Sequence, residues 1–306
     1  MSAAPSAYLT RAGHVSIEIA KQLILYQPGE RVPTVQQFAE ELRTGVSTVQ
    51  RALAILTETG VLELVPRGKR GTFLQEIDRP GLWRASLQTV MVGLMPLPYT
   101  RRYEGLATGL RAQAETLGVP FSLAFMSGAA SRLDVVGVGE QFAIISALAA
   151  QLAREEGRQI EVCLDFGPQS YVEGHALVWA GKQRRRHPRV GVSMRSYDQL
   201  ELARREFGDH AEYVDVPYLQ VLEHLRARHF DVTVWATDAM ASVEDLPVTG
   251  LTSPAALAAV PSNTAAVLVT AGDHAITHAL LRHELDVDAV RRVQAEVLAG
   301  ARVPHY

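Results

Sequence analysis

The stretch VSTVQRALAILTETGVLELVPRGKRGTFL, Val46–Leu74, decides the fold of the first quarter of the chain. Val49, Ala52, Leu53 and Leu56 stand at i, i+3, i+4 and i+7, the spacing of one helical stripe, so a helix runs from about Val46 to Thr59 and buries that side. Ser47, Gln50, Arg51 and Ala54 lie on the opposite side with Thr48 beside them, a face that is small and polar near the helix N-terminus. Gly60 stops the helix. VLELV and TFL then read as two short strands, and PRGKRG between them sets Arg67, Lys69 and Arg70 at a hairpin tip.

Upstream, Ile17, Ala20 and Ile24 in VSIEIAKQLILY form a second helical stripe, which Pro28 and Gly29 break. In TVQQFAEEL, Thr34 is a helix N-cap with Gln37 three residues on, a capping box, and Val35, Phe38, Ala39 and Leu42 share one face. Three short helices followed by a basic hairpin make a winged helix-turn-helix. Its third helix presents side chains to base edges, and its wing places cations against phosphates or in a minor groove. The expected partner is double-stranded DNA, contacted through Thr34, Gln36, Ser47, Thr48, Gln50, Arg51, Arg67, Lys69 and Arg70.

Three segments, PGERVPTVQQFAEEL, TVQRALAILTETG and RGKRGTF, together resemble the GntR-type winged-helix regulators over roughly residues 15 to 75. Where that family places arginines for DNA contact, this chain has Gln36, Val46 and Gln50, so the fold carries over and the base-reading code does not.

The whole chain of 306 residues is 47% hydrophobic and 21% charged, an ordinary globular composition with room for two domains. A single cysteine, Cys163, excludes an internal disulfide and fits a reducing compartment. No leader-like pattern occupies Met1 to Thr10 and no run of about 18 apolar residues occurs, so a cytoplasmic protein without a membrane partner is expected. The formal net charge of -3 is unevenly spread: eight Lys/Arg against six Asp/Glu up to Gln75 leave the front basic and the remainder acidic.

Beyond the polar, proline-containing QEIDRPGLWR, strands and helices alternate, placing a boundary near Asp78 between a DNA-binding domain of residues 1–78 and an α/β domain of residues 79–306. TVMVGLMPLP, VPFSLAF, FAIISAL and IEVCLDFG read as strands of a first lobe, with RRYEGLATGLRAQAETLG as a helix. After KQRRRHPR, a solvated joint near residues 181 to 189, RVGVSM, AEYVDV, DVTVWAT and AAVLVTA read as strands of a second lobe. A cleft between two such lobes is where ligands settle.

Residues at strand ends are the candidates for that cleft: Tyr99, Thr100, Arg101, Tyr103, Ser146, Ser170, Tyr171, Ser193, Ser196, Tyr197, Trp235 and Asp238. Thr100 can cap a helix starting near Arg101, whose free N–H groups, helped by Arg101 or Arg102, would receive an anionic metabolite opposed by Ser193, Ser196 or Tyr197. MPLPYTRRYEGLATGL, FGPQSYVEGHALV and RVGVSMRSYDQ resemble the C-terminal domain of the YhfZ-like regulators. That resemblance implies a type 2 periplasmic-binding-protein-like sensor module, with no ligand specified.

Enzyme signatures are weak. His274, His278 and His283 lack the intervening Glu of a metalloprotease helix and a further ligand, Cys163 lies in an apolar run, and no nucleophile elbow or phosphate loop occurs, so no catalytic residue, metal or cofactor is expected. The sequence points to a ligand-responsive transcription regulator acting as a homodimer on a pseudo-palindromic operator. The alternative is a metabolite-processing α/β enzyme with an appended winged helix.

Overall fold

The computed structural model describes residues 10–306; the leader-free reading of the first residues lies outside them. Two compact units emerge, one comprising the chain up to Met91 with Ala114–Pro120 and Ala275–Leu285, the other Val92–Gln113, Phe121–His274 and Asp286–Tyr306.

In the first unit, α1 (Arg11–Leu23), α2 (Val35–Glu41) and α3 (Val46–Glu58) precede an antiparallel hairpin of β1 (Leu62–Pro66) and β2 (Thr72–Ile77). Helix α1 begins ahead of the apolar stripe because the Thr10 hydroxyl accepts from Gly13 N. The capping box of α2 is complete: Thr34 Oγ1 accepts from Gln37 N at 3.2 Å, and Gln37 Oε1 accepts from Thr34 N at 2.8 Å. Ile19, Ala20, Leu23, Ile24, Phe38, Val49, Ala52 and Leu56 are in the core; of the stripe expected for α1, Ala20 and Ile24 are buried and Ile17 is only half-buried, its place being taken by Ile19 and Leu23.

QEIDRPGLWR, the segment at the expected boundary, is itself structured. Asp78 caps a short helix, α4 (Arg79–Ala85), by accepting from Gly81 N at 2.9 Å, and Leu82 and Trp83 are fully buried. Pro80 suits this first turn, where its missing N–H costs nothing, so it starts a helix instead of breaking one. Helices α1 and α11 (Ala275–Glu284) both pack on α4.

The second unit has two five-stranded sheets. In one, β4 (Phe121–Phe125), β3 (Met91–Met95), β5 (Phe142–Ser146), β12 (Ala266–Ala271) and β6 (Ile160–Asp165) lie side by side in that order, with β3 and β5 parallel and β12 antiparallel to both its neighbours. The other has the order β11 (Val248–Gly250), β7 (His175–Trp179), β10 (Val232–Ala236), β8 (Arg189–Val192), β9 (Glu212–Asp215). AAVLVTA therefore belongs to the first sheet, not to the second lobe. The chain crosses between lobes at residues 166–174 and again at residues 251–265; residues 181–188 are an exposed loop within the second lobe. Strand β7, unrecognised in the sequence, starts the second sheet ahead of that loop.

Helices α5 (Arg101–Leu117), α6 (Ala129–Val135), α7 (Ala147–Glu155) and α12 (Val287–Leu298) accompany the first sheet, and α8 (Tyr197–Phe207), α9 (Val221–Arg226) and α10 (Pro254–Thr264) follow strands of the second or return from it. Gly109 lets α5 approach α12 closely, since a Cβ there would stand 2.7 Å from Val290 O. Beside it Gln294 of α12 donates to Arg102 O at 2.9 Å and to Ser170 O at 2.8 Å, fixing the first crossing segment to α5.

Candidate functional site

A cavity of about 60 Å³ lies between the two lobes of the second unit. Its walls come from the β3–α5 connection (Tyr99), from α5 (Tyr103), from α6 (Arg132), from the first crossing segment and the start of β7 (Tyr171, His175), and from the start of α8 (Ser196, Asp198). Tyr218, just before α9, completes it.

Arg132 dominates the electrostatics. Its side chain is buried, with the residue 2% exposed, and the guanidinium donates to Ile144 O at 3.1 Å, Met126 O at 2.7 Å and the Tyr171 hydroxyl at 2.9 Å. These neutral acceptors fix the fork without neutralising it, and among the described residues no carboxylate comes within ion-pairing distance of it. Gly128 permits this geometry: it precedes α6 with φ +81°, and a Cβ would meet Arg195 O at 2.8 Å.

Asp198 faces the same cavity. Its carboxylate accepts from the Ser146 hydroxyl and from Asn263 Nδ2, and burial pushes its acid up to about 6, against the opposing effects of the Ser146 bond and the Arg132 charge. His175 contributes a buried Nδ1 with no hydrogen-bond partner, and burial drives its imidazole down to about 4, so the ring is neutral near pH 7. Burial also raises the phenols of Tyr99, Tyr103, Tyr171 and Tyr218, keeping them as neutral hydroxyls.

The expected cleft residues separate into groups. Tyr99, Tyr103, Tyr171 and Ser196 wall the cavity. Thr100, Trp235 and Asp238 wall a second chamber next to it. Ser146, Ser170 and Ser193 lie behind the walls: Ser146 caps α7 and holds Asp198, Ser170 accepts from Ala266 N at 2.8 Å, and Ser193 N donates to Gln199 Oε1 at 2.8 Å. Tyr197 turns away to Glu156.

The anion site expected at the start of α5 is used up internally. Thr100 Oγ1 accepts from Tyr103 N, Arg101 donates to Val297 O at 3.0 Å, and Arg102 pairs with Asp238 at 2.9 Å. The cation that faces the cavity is Arg132, which the sequence reading passed over together with Asp198, His175 and Tyr218. A signal existed for Arg132, because it sits on the same helical face as Ala129, Leu133 and Val136, where a solvated arginine has no reason to be.

In the first unit, Ser47, Gln50 and Arg51 are exposed on α3, Thr48 is half-buried, and Thr34 and Gln36 are exposed at the start of α2. Arg67, Lys69 and Arg70 are exposed at a tight turn of the hairpin, with the Arg67 guanidinium 4.7 Å from the Phe73 ring centre. An open groove of about 840 Å³ runs along Ser47, Thr48 and Arg51 and is closed on its other side by Thr10 and Arg11, so α1 adds a cation to this face that periodicity alone did not reveal. Elsewhere, no three His, Cys, Asp or Glu side chains are grouped as a metal would require, and no helix is long and apolar enough to cross a membrane, among the described residues.

Comparison with known proteins gives two family matches: the YhfZ C-terminal domain over residues 78–306 and a helix-turn-helix domain over residues 27–74. The uncharacterized protein YhfZ of Escherichia coli (strain K12) is 33% identical over 98% of this chain and 99% of its own length. The crystal structure of YhfZ from Shigella flexneri superposes with a TM-score of 0.63 at 33% identity, covering 75% of this chain and 98% of that one. The periplasmic aliphatic sulphonate binding protein SsuA from Escherichia coli superposes with a TM-score of 0.50 at 12% identity over 69% of this chain and 75% of that one, a likeness of fold alone.

Proposed function

Since this chain belongs to the YhfZ family and joins a helix-turn-helix domain to a domain of periplasmic-binding-protein fold, we propose that it is a cytoplasmic, ligand-responsive transcription regulator whose effector carries an anionic group seated against Arg132. The observation that carries the effector reading is the buried Arg132 guanidinium, which faces a cavity with no carboxylate paired to it. A buried cation is costly until a counter-charge and further hydrogen bonds satisfy it, and an anion entering the cavity supplies both. His175 Nδ1 and the neutral tyrosine hydroxyls offer the remaining polar contacts.

Effector binding acts by population shift. The cavity walls come from both lobes, so a ligand that touches both favours the arrangement in which they are drawn together, and the DNA-binding units respond to that arrangement. One winged helix makes too few contacts for tight specific binding, so the protein acts as a homodimer on a pseudo-palindromic operator. Genomic-fragment selection with the purified protein, repeated with pools of anionic metabolites, tests this. The expected result is a fragment with inverted half-sites whose recovery changes with one pool; recovery indifferent to every pool, or no enriched fragment, overturns the reading.

A further inference from the structure

The 60 Å³ cavity has room for about four to six water-sized groups, enough for a charged head and little else. A second chamber of about 360 Å³ shares Tyr99, Tyr103 and Tyr218 with it, so these rings form a common wall. Tyr218 is stacked between Trp235, at 5.1 Å, and Tyr99, at 5.9 Å, and Tyr99 is itself 43% exposed, so a turn of that one side chain joins the two spaces.

The chambers differ in what they leave unsatisfied. In the outer one the polar groups are already engaged: Thr100 Oγ1 accepts from Tyr103 N, Trp235 Nε1 donates to Ser242 Oγ, which donates to Ala239 O at 2.6 Å, and Asp238 accepts from Arg102 Nε and Glu173 N. What remains open is the Trp235 edge, Leu222, Ala239 and Leu219, the last 68% exposed to water. Such a surface gains only from apolar cover. The inner chamber holds the reverse, a cation with no carboxylate within ion-pairing distance, Asp198 being held by Ser146 and Asn263, and an imidazole nitrogen without a partner.

We propose that the effector is an amphipathic anion, with its charged head against Arg132 and an aliphatic or aryl group in the outer chamber under Leu219 and Trp235. This rests on the anion reading of Arg132 and adds the tail to it. Isothermal titration of the full chain with butyl, hexyl and octyl carboxylates, sulfonates and phosphates is the test, in the parent and in Ala241→Trp, which fills the outer chamber from an exposed position, and Leu219→Asp, which charges its rim. Affinity for one head type should rise about fourfold per methylene. Both variants should flatten that rise, and Arg132→Lys should weaken every member alike. Chain-length-independent binding, or an unchanged rise in both variants, overturns the outer chamber and leaves the anion reading standing. Failure of every head type to bind, or binding indifferent to Arg132→Lys, overturns both.

Discussion

At the scale of single residues, Arg132, Asp198 and His175 make the cavity a charged and titrating space. Arg132→Lys keeps the charge but loses the fork that reaches Ile144 O, Met126 O and Tyr171 at once, so anion affinity should fall at least tenfold with the fold retained. Asp198 and His175 give opposite pH dependences. The folded chain keeps a proton on Asp198 between the ordinary acid value of 3.8 and about 6, so this carboxyl makes stability fall as pH rises through that window, by roughly 3 kcal/mol. The unfolded chain protonates His175 between 6.5 and about 4 where the folded chain does not, so stability from this group falls as pH drops, by somewhat less because its ring is only partly buried. The two partly cancel. Asp198→Asn should uncover the histidine, so that thermal melts show the variant losing stability relative to the parent between pH 7 and pH 4; a pH-independent difference would rule out the raised carboxyl.

At the scale of elements, the third helix and the wing should separate experimentally. Arg51→Ala should cost about 1 to 3 kcal/mol of operator affinity and change sequence preference, whereas alanines at Arg67, Lys69 and Arg70 should weaken all DNA alike and flatten the salt dependence of binding. Fluorescence anisotropy at several salt concentrations reads both, and full operator affinity in the triple variant would remove the wing from the interface. Arg79 on α4 closes the end of α1: its guanidinium donates to Ile24 O at 3.2 Å and Tyr26 O at 2.7 Å, and pairs with Glu284 of α11 at 3.1 Å. The Arg79 side chain is 5% exposed, so Arg79→Met leaves these carbonyls and the partner acid unsatisfied and should destabilise the unit by about 3 to 5 kcal/mol in urea melts. A loss under 1 kcal/mol would mean that water replaces the guanidinium without penalty.

At the scale of the whole molecule, the proposed symmetric operator needs two DNA-binding units in one particle. Sedimentation of the full chain at micromolar concentration should give a dimer, and the effector should change operator affinity by about 5- to 150-fold, the range of ordinary coupling energies. A monomer bound to a single half-site with full affinity would dismiss the symmetric operator. Truncation also has a definite consequence, because α4 buries Leu82 and Trp83 within the unit that contains the winged helix. A fragment ending at residue 78 lacks that cover and the Arg79 cap, so it should melt at lower denaturant than the same transition in the full chain.

What the sequence determined by itself is the winged helix, because each of its signals is local. The Val49, Ala52 and Leu56 stripe, the Thr34–Gln37 box and the basic turn between β1 and β2 depend on residues a few positions apart, and periodicity and capping operate over that range. The strands of the α/β domain were legible for the same reason, but their partners were not. AAVLVTA would suit the centre of either sheet, and only packing chose β5 and β6 as its neighbours, which moved the joints between lobes away from residues 181 to 189. HALVW escaped notice because it follows the loop-like FGPQSYVEG and stands against β10 and β11, strands that come far later in the chain. The cavity is the extreme case: Arg132, Tyr171, Asp198 and Tyr218 are far apart in sequence and meet because the chain crosses between the two lobes twice. Side-chain spacing along a chain reports which face a residue takes, and which distant residues share that face is decided only when the sheets pack.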